Sequence, residues 1–134
     1  MPGFEVEFEI PGEATGGAFG ILEFTLAPHR LVPPHTHVAE DEYSYVLTGD
    51  VGFRVGDDVF TAGPGTYVQK PRGMPHTFWN ATERPARVME ILLPGSAADT
   101  FRPGARIPGR IPNIHSDDWV PELVARYGLT LIGT

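Results

Sequence analysis

The chain has 134 residues, which suits one domain with a real core and leaves no room for a second folded unit. Its formal net charge of −7, from 17 acidic against 10 basic side chains, argues against nucleic acid or an anionic membrane as a partner. It has no cysteine, so disulfides and thiolate metal ligands are excluded, and the composition suits a reducing, cytoplasmic setting.

Residues 4–10 alternate Phe4, Val6, Phe8 and Ile10 with three glutamates and read as a strand. The same stretch has no basic flank and no apolar run, so it does not read as a signal peptide. Pro11-Gly12 and Gly16-Gly17 break it, and residues 19–27 follow as a second strand. Residues 29–32 are extended, and Pro33-Pro34 predicts an edge or a bulge just before His35. Residues 42–48 form a strand ended by Gly49-Asp50. Residues 51–55 and 59–62 make a hairpin around Gly56-Asp57, a favoured turn pair. Gly63-Pro64-Gly65 turns the chain again, and strands at 66–70, 76–81 and 86–93 complete the set.

Short strands separated by 16 Gly and 14 Pro predict an all-β domain, a closed barrel or two-sheet sandwich with its core at 19–93. Residues 94–115 are an irregular Pro/Gly-rich arm, with room for one helical turn at 96–101. Residues 116–127 read as a short C-terminal helix. Ser116 or Asp117 can cap it, Gly128 stops it, and Pro121 is tolerable only in its first turn. Leu123, Val124 and Tyr127 share one helical side, which predicts that the tail folds back onto the barrel wall.

The chemistry concentrates in four residues. His35 and His37 are two apart, so on a strand they share a face at roughly 6.5–7 Å. That spacing lets both rings converge on one ion at about 2.0–2.1 Å. Glu42 lies past a short turn and can supply a hard oxygen ligand, while His76 lies far along the chain at the start of another strand. Only a fold that brings these strands together makes the four a site.

Two patterns carry a family resemblance: His35-x-His37-x4-Glu42-x6-Gly49, and Gly65-x5-Pro71-x-Gly73-x2-His76-x3-Asn80. They resemble the two motifs of the cupin superfamily, which implies a double-stranded β-helix, a jelly-roll-like barrel. The resemblance makes His35, His37, Glu42 and His76 the ligands of one divalent transition-metal ion per chain. It makes Gly49, Gly65, Pro71, Gly73 and Asn80 residues of turns and strand ends. The family's first motif usually opens with glycine six residues before its first histidine; here that residue is His29.

The stretches Pro34-His35-Thr36-His37 and Lys70-Pro71-Arg72-Gly73-Met74-Pro75-His76-Thr77-Phe78-Trp79-Asn80 are similar to small quercetin-dioxygenase-like cupins. The tail from Leu123 to Leu129 is similar to the closing segment of such proteins. This implies a metal-dependent dioxygenase acting on a small aromatic or enolisable oxygen compound, flavonol- or diketone-like. Cupins also include isomerases, cyclases, lyases and binding proteins without turnover, so a non-redox Lewis-acid enzyme and a small-molecule-binding protein stay open. With nitrogen and oxygen donors, Fe, Mn, Ni, Co, Cu and Zn are all open.

Further residues carry expectations of their own. Glu42 is the only carboxylate of the set and is the candidate general base. Phe78 shares strand parity with His76 and is expected to line the substrate pocket. His29 shares parity with His35 and His37 and is a pocket candidate; a solvated strand residue is the commoner case. Glu90 lies among apolar neighbours; an outward, solvated side chain is favoured over a buried acid/base group. His115 is expected to do no chemistry. Trp79 is expected to face away from the pocket, toward a partner subunit. Small cupins commonly pair through their sheets, so a homodimer is expected with Phe4, Val6 or Trp79 at the contact.

Overall fold

Alternation of side chains at period two dictates most of what forms. The computed structural model describes residues 3–36, 40–94 and 116–132, the last stretch with side chains only from residue 120. His37, the arm at 95–115 with its expected helical turn, His115, and the side chains of Ser116 and Asp117 lie outside the described residues. Among the described residues the strands are β1 (Phe4–Ile10), β2 (Gly20–Leu26), β3 (Arg30–His35), β4 (Asp41–Thr48) and β5 (Val51–Val55). They continue with β6 (Asp58–Ala62), β7 (Tyr67–Lys70), β8 (His76–Trp79), β9 (Ala86–Leu93) and β10 (Thr130–Leu131). A short 3-10 turn spans Gly12–Thr15, and helix α1 spans Ser116–Tyr127.

The strands pair as two five-stranded sheets with orders β1-β2-β9-β4-β7 and β10-β3-β8-β5-β6. This is the cupin-type double-stranded β-helix that the motifs imply. The inward residues of both sheets form the core: Leu22, Phe24, Leu26, Val46, Val68, Val88 and Leu92 from the first, Val32, Val51, Phe53, Val55 and Phe78 from the second. A run of rings ties the sheets together, Phe4 on Phe24 at 4.3 Å, Phe24 on Phe78 at 5.6 Å and Phe78 on Phe53 at 5.9 Å.

The turns behave as their residues require. Gly56-Asp57 is the two-residue loop between β5 and β6. The β3–β8 ladder shifts register between Val32 and His35, which is where Pro33 and Pro34 withhold their N–H groups. Pro121 is the sixth residue of α1, in its second turn, so the helix tolerates a proline one turn later than expected. The carbonyl of Asp117 receives no helical N–H there.

The tail folds back as its apolar side predicts. Val120, Leu123, Val124 and Tyr127 pack against Leu31, Trp79 and Leu129 on the outer face of the second sheet. Trp79 therefore does not face a partner subunit; it is buried under the chain's own helix. Phe4 is likewise in the core, stacked on Phe24, and Val6 packs against that core. Phe4 is therefore closed to a dimer contact and Val6 is half-buried, because the even positions at the start of β1 point inward.

Candidate metal centre

Three of the expected ligands meet inside one end of the barrel. His35, at the end of β3, stands opposite His76, at the start of β8. Glu42, second in β4, comes from the other sheet. All three are buried, and one donor atom from each lies within 4.8 Å of the others.

The rings are aimed by the backbone. His35 Nδ1 lies 2.8 Å from the Pro33 carbonyl and His76 Nδ1 lies 3.2 Å from the Met74 carbonyl. A carbonyl only accepts, so each Nδ1 donates, and in the neutral ring each Nε2 then carries the lone pair. The two Nε2 atoms face each other at 3.1 Å, and His76 Nε2 lies 3.3 Å from Glu42 Oε2. Two lone pairs so placed need a positive species between them, a proton or a cation. Bonds of about 2.0–2.1 Å to one ion set neighbouring donors about 3.0–3.4 Å apart. The observed spacings therefore fit a divalent ion held by His35, Glu42 and His76.

Behind Glu42 lies a buried polar cluster. Lys70 is its direct partner across the β4–β7 ladder, and Lys70 Nζ is 3.0 Å from Glu42 Oε2. The same ammonium donates to Glu90 Oε1 at 2.8 Å, and Ser44 Oγ donates to that oxygen at 2.6 Å. Lys70 Nζ also sits 5.0 Å from the centre of the Phe78 ring. Burial alone would push the lysine pKa down, but the Glu42 and Glu90 carboxylates outweigh it and hold it above the ordinary value. Burial, reinforced by the Glu42 charge, pushes Glu90 up to about 7 against the opposing pull of Lys70 and Ser44.

Glu90 is thus buried, not solvated as expected. It shares the strand face of Ala86, Val88 and Leu92, which all point into the core. Lys70 and Ser44 were not singled out from the sequence at all. The signal was parity: Lys70 shares the face of Val68, and Ser44 that of Val46, both core residues. Phe78 is in the core, beside Lys70.

His29 is not at the cluster. It lies in the turn before β3, at the opposite end of the β3–β8 ladder from His35 and His76. Its ring pairs with Glu83 at 2.7 Å and with the Tyr127 carbonyl at 3.1 Å. Its φ of +59° explains why this position breaks parity and why the family prefers glycine there. The histidine keeps the left-handed backbone, anchored through both ring nitrogens. A cavity of about 140 Å³ lies elsewhere, lined by Arg54, Val59, Glu122, Leu123 and Arg126, and shares no residue with the cluster.

The comparisons with known proteins agree with this fold. A family described as the cupin domain matches residues 22–92. Among solved structures, a Thermus thermophilus protein is 28% identical, with a TM-score of 0.56, over 58% of this chain and 74% of that one. A protein from Silicibacter pomeroyi described as a sugar phosphate isomerase from a cupin superfamily is 26% identical, with a TM-score of 0.61, over 69% of this chain and 60% of that one. A predicted oxalate decarboxylase from Thermotoga maritima is 21% identical, with a TM-score of 0.63, over 67% of this chain and 79% of that one. No curated protein sequence matches the chain.

Proposed function

We propose that this chain, which belongs to the cupin domain family, binds one divalent transition-metal ion and uses it to transform a small oxygen-rich molecule. His35, Glu42 and His76 hold the ion, with His37 as fourth ligand. The observation that carries this reading is the pair of buried Nε2 atoms facing each other at 3.1 Å beside the Glu42 carboxylate. When bound, such an ion polarises a coordinated substrate oxygen and, if redox-active, lets electrons pass between substrate and dioxygen. Glu42 holds the ion and accepts a proton from a substrate hydroxyl. With Nδ1 of each ring donating to a backbone carbonyl, it is Nε2 that each imidazole presents to the site.

The reaction we infer is a dioxygenase-type oxidation of a flavonol- or diketone-like compound. The similarity of residues 34–37 and 70–80 to quercetin-dioxygenase-like cupins supports it, and Phe78 offers an aromatic surface near the cluster. A second reading, non-redox isomerisation on the same ion, is favoured by the 26% identity to the protein described as a sugar phosphate isomerase. Oxygen uptake by iron-, manganese- or nickel-loaded protein with flavonols or diketones tests the first. Turnover of sugar phosphates under strict anaerobiosis would replace it with the second. If elemental analysis after reconstitution finds no stoichiometric metal, both fail.

No helix of the described residues is long and apolar enough to cross a membrane. A cytoplasmic location and a homodimer remain part of the proposal. With Phe4 and Trp79 buried within the chain, the dimer contact passes to Phe8, 49% exposed on the edge strand β1.

A further inference from the structure

We infer that Lys70 is the positioning residue for Glu42, anchored in turn by Glu90 and Ser44; this rests on the metal-site reading above. The two imidazoles are aimed by the carbonyls of Pro33 and Met74, as described. Glu42 has a longer side chain, with three single-bond torsions, and must be aimed by something else. Lys70 stands directly across the ladder and grips Oε2, the oxygen that also faces His76. That contact selects the conformer in which the carboxylate meets the rings.

A lysine is a poor clamp unless its own stem is held, since its ammonium is a flexible point charge. Here it is held. Glu90 Oε1 takes a second ammonium proton at 2.8 Å, and Ser44 fixes that oxygen at 2.6 Å. The Phe78 ring covers the ammonium from the opposite sheet. The side chains of Lys70, Glu42 and Glu90 are fully buried. Burying three charges is a poor route to stability, because apolar residues of the same volume commonly do as well or better. Orientation of a ligand carboxylate is a use that apolar residues cannot replace. Outer partners of metal ligands typically carry about 10–100-fold in affinity.

The test uses the full chain and Co(II) as probe, read by chelator competition and by visible absorption. Lys70→Met alone would leave two buried carboxylates without a counter-ion and risks unfolding. The main variant is therefore Lys70→Met/Glu90→Leu, which removes the Lys70–Glu90 pair together and leaves Glu42 as the one buried carboxylate of the three charges. It should fold, bind Co(II) about 10–100-fold more weakly than wild type, and show an altered Co(II) spectrum when saturated. A loss of packing alone would not move that spectrum. Ser44→Ala, which only loosens the anchor, should show the same spectral change to a smaller degree. A folded double variant with wild-type affinity and spectrum overturns the inference. Wild-type protein that fails to bind Co(II) would instead remove the metal-site reading itself.

Discussion

Gly52 stands directly opposite Trp79 in the β5–β8 ladder, and the indole fills the space that a side chain at Gly52 would occupy. Both lie on the outer face of the second sheet, where α1 covers Trp79. A Cβ at Gly52 would collide with Nε1 and Cε2 of the indole. Gly52→Ala should therefore destabilise the protein by about 1–3 kcal/mol, as overpacking does elsewhere. Urea unfolding followed by circular dichroism measures it. An unchanged midpoint would mean that the ring and helix shift freely.

His76→Ala should abolish stoichiometric metal binding, because it removes one of the two imidazoles that face each other. Binding to the native state raises stability by mass action, so wild type should melt higher when Co(II) or Zn(II) is added and the variant should not. Differential scanning calorimetry with elemental analysis decides it. Full metal retention in His76→Ala would remove this ligand from the set.

Glu42→Gln keeps an oxygen donor of similar shape and removes its charge and most of its basicity. It should retain a substantial part of the metal and lose turnover by roughly a hundredfold or more. Steady-state kinetics on metal-quantified protein is the measurement. A fully loaded variant at the wild-type rate would leave Glu42 as a plain ligand.

His29 should titrate above its usual value, because Glu83 and then the Tyr127 carbonyl favour its protonated form. The sign follows from the raised folded pKa. The pair's stabilisation is complete below the unfolded value of about 6.5 and is lost as pH rises through the higher folded pKa. Glu83 is largely exposed, so the effect is small and screened by salt. Glu83→Gln should lower the His29 pKa in an NMR titration. An unmoved titration curve would show that the carboxylate does not set it.

The homodimer should depend on Phe8. Light scattering at micromolar concentration should give twice the chain mass, and Phe8→Lys should shift it to monomer. A monomeric wild type would end the proposal.

The cluster of His35, Glu42 and His76 was legible because each sits in a short motif of residue types that are rare together. Strand positions were legible wherever alternation met a Gly or Pro stop, as at Gly56-Asp57. The failures share a cause: each strand was read by itself. Glu90 looked costly to bury because its counter-ion, Lys70, lies twenty positions back on a strand that does not adjoin β9. Trp79 looked outward-facing, and it is, but the helix that covers it comes from the far end of the chain. His29 kept strand parity on paper because nothing in a histidine announces a φ of +59°. β10 pairs with β3 over only Thr130 and Leu131, too short to carry a periodic signal.

The donors of the candidate centre divide between the two layers of the barrel, His35 and His76 in one and Glu42 in the other. An ion held by all three would act as a rivet through both layers. Neither could lift from the other without giving up a bond to it, and the metal-free barrel would breathe at this end. Hydrogen exchange should then slow together in β4 and β8 on metal addition, although no backbone hydrogen bond joins those strands. Affinity for the ion and the rigidity of the whole barrel end would rise and fall as one quantity.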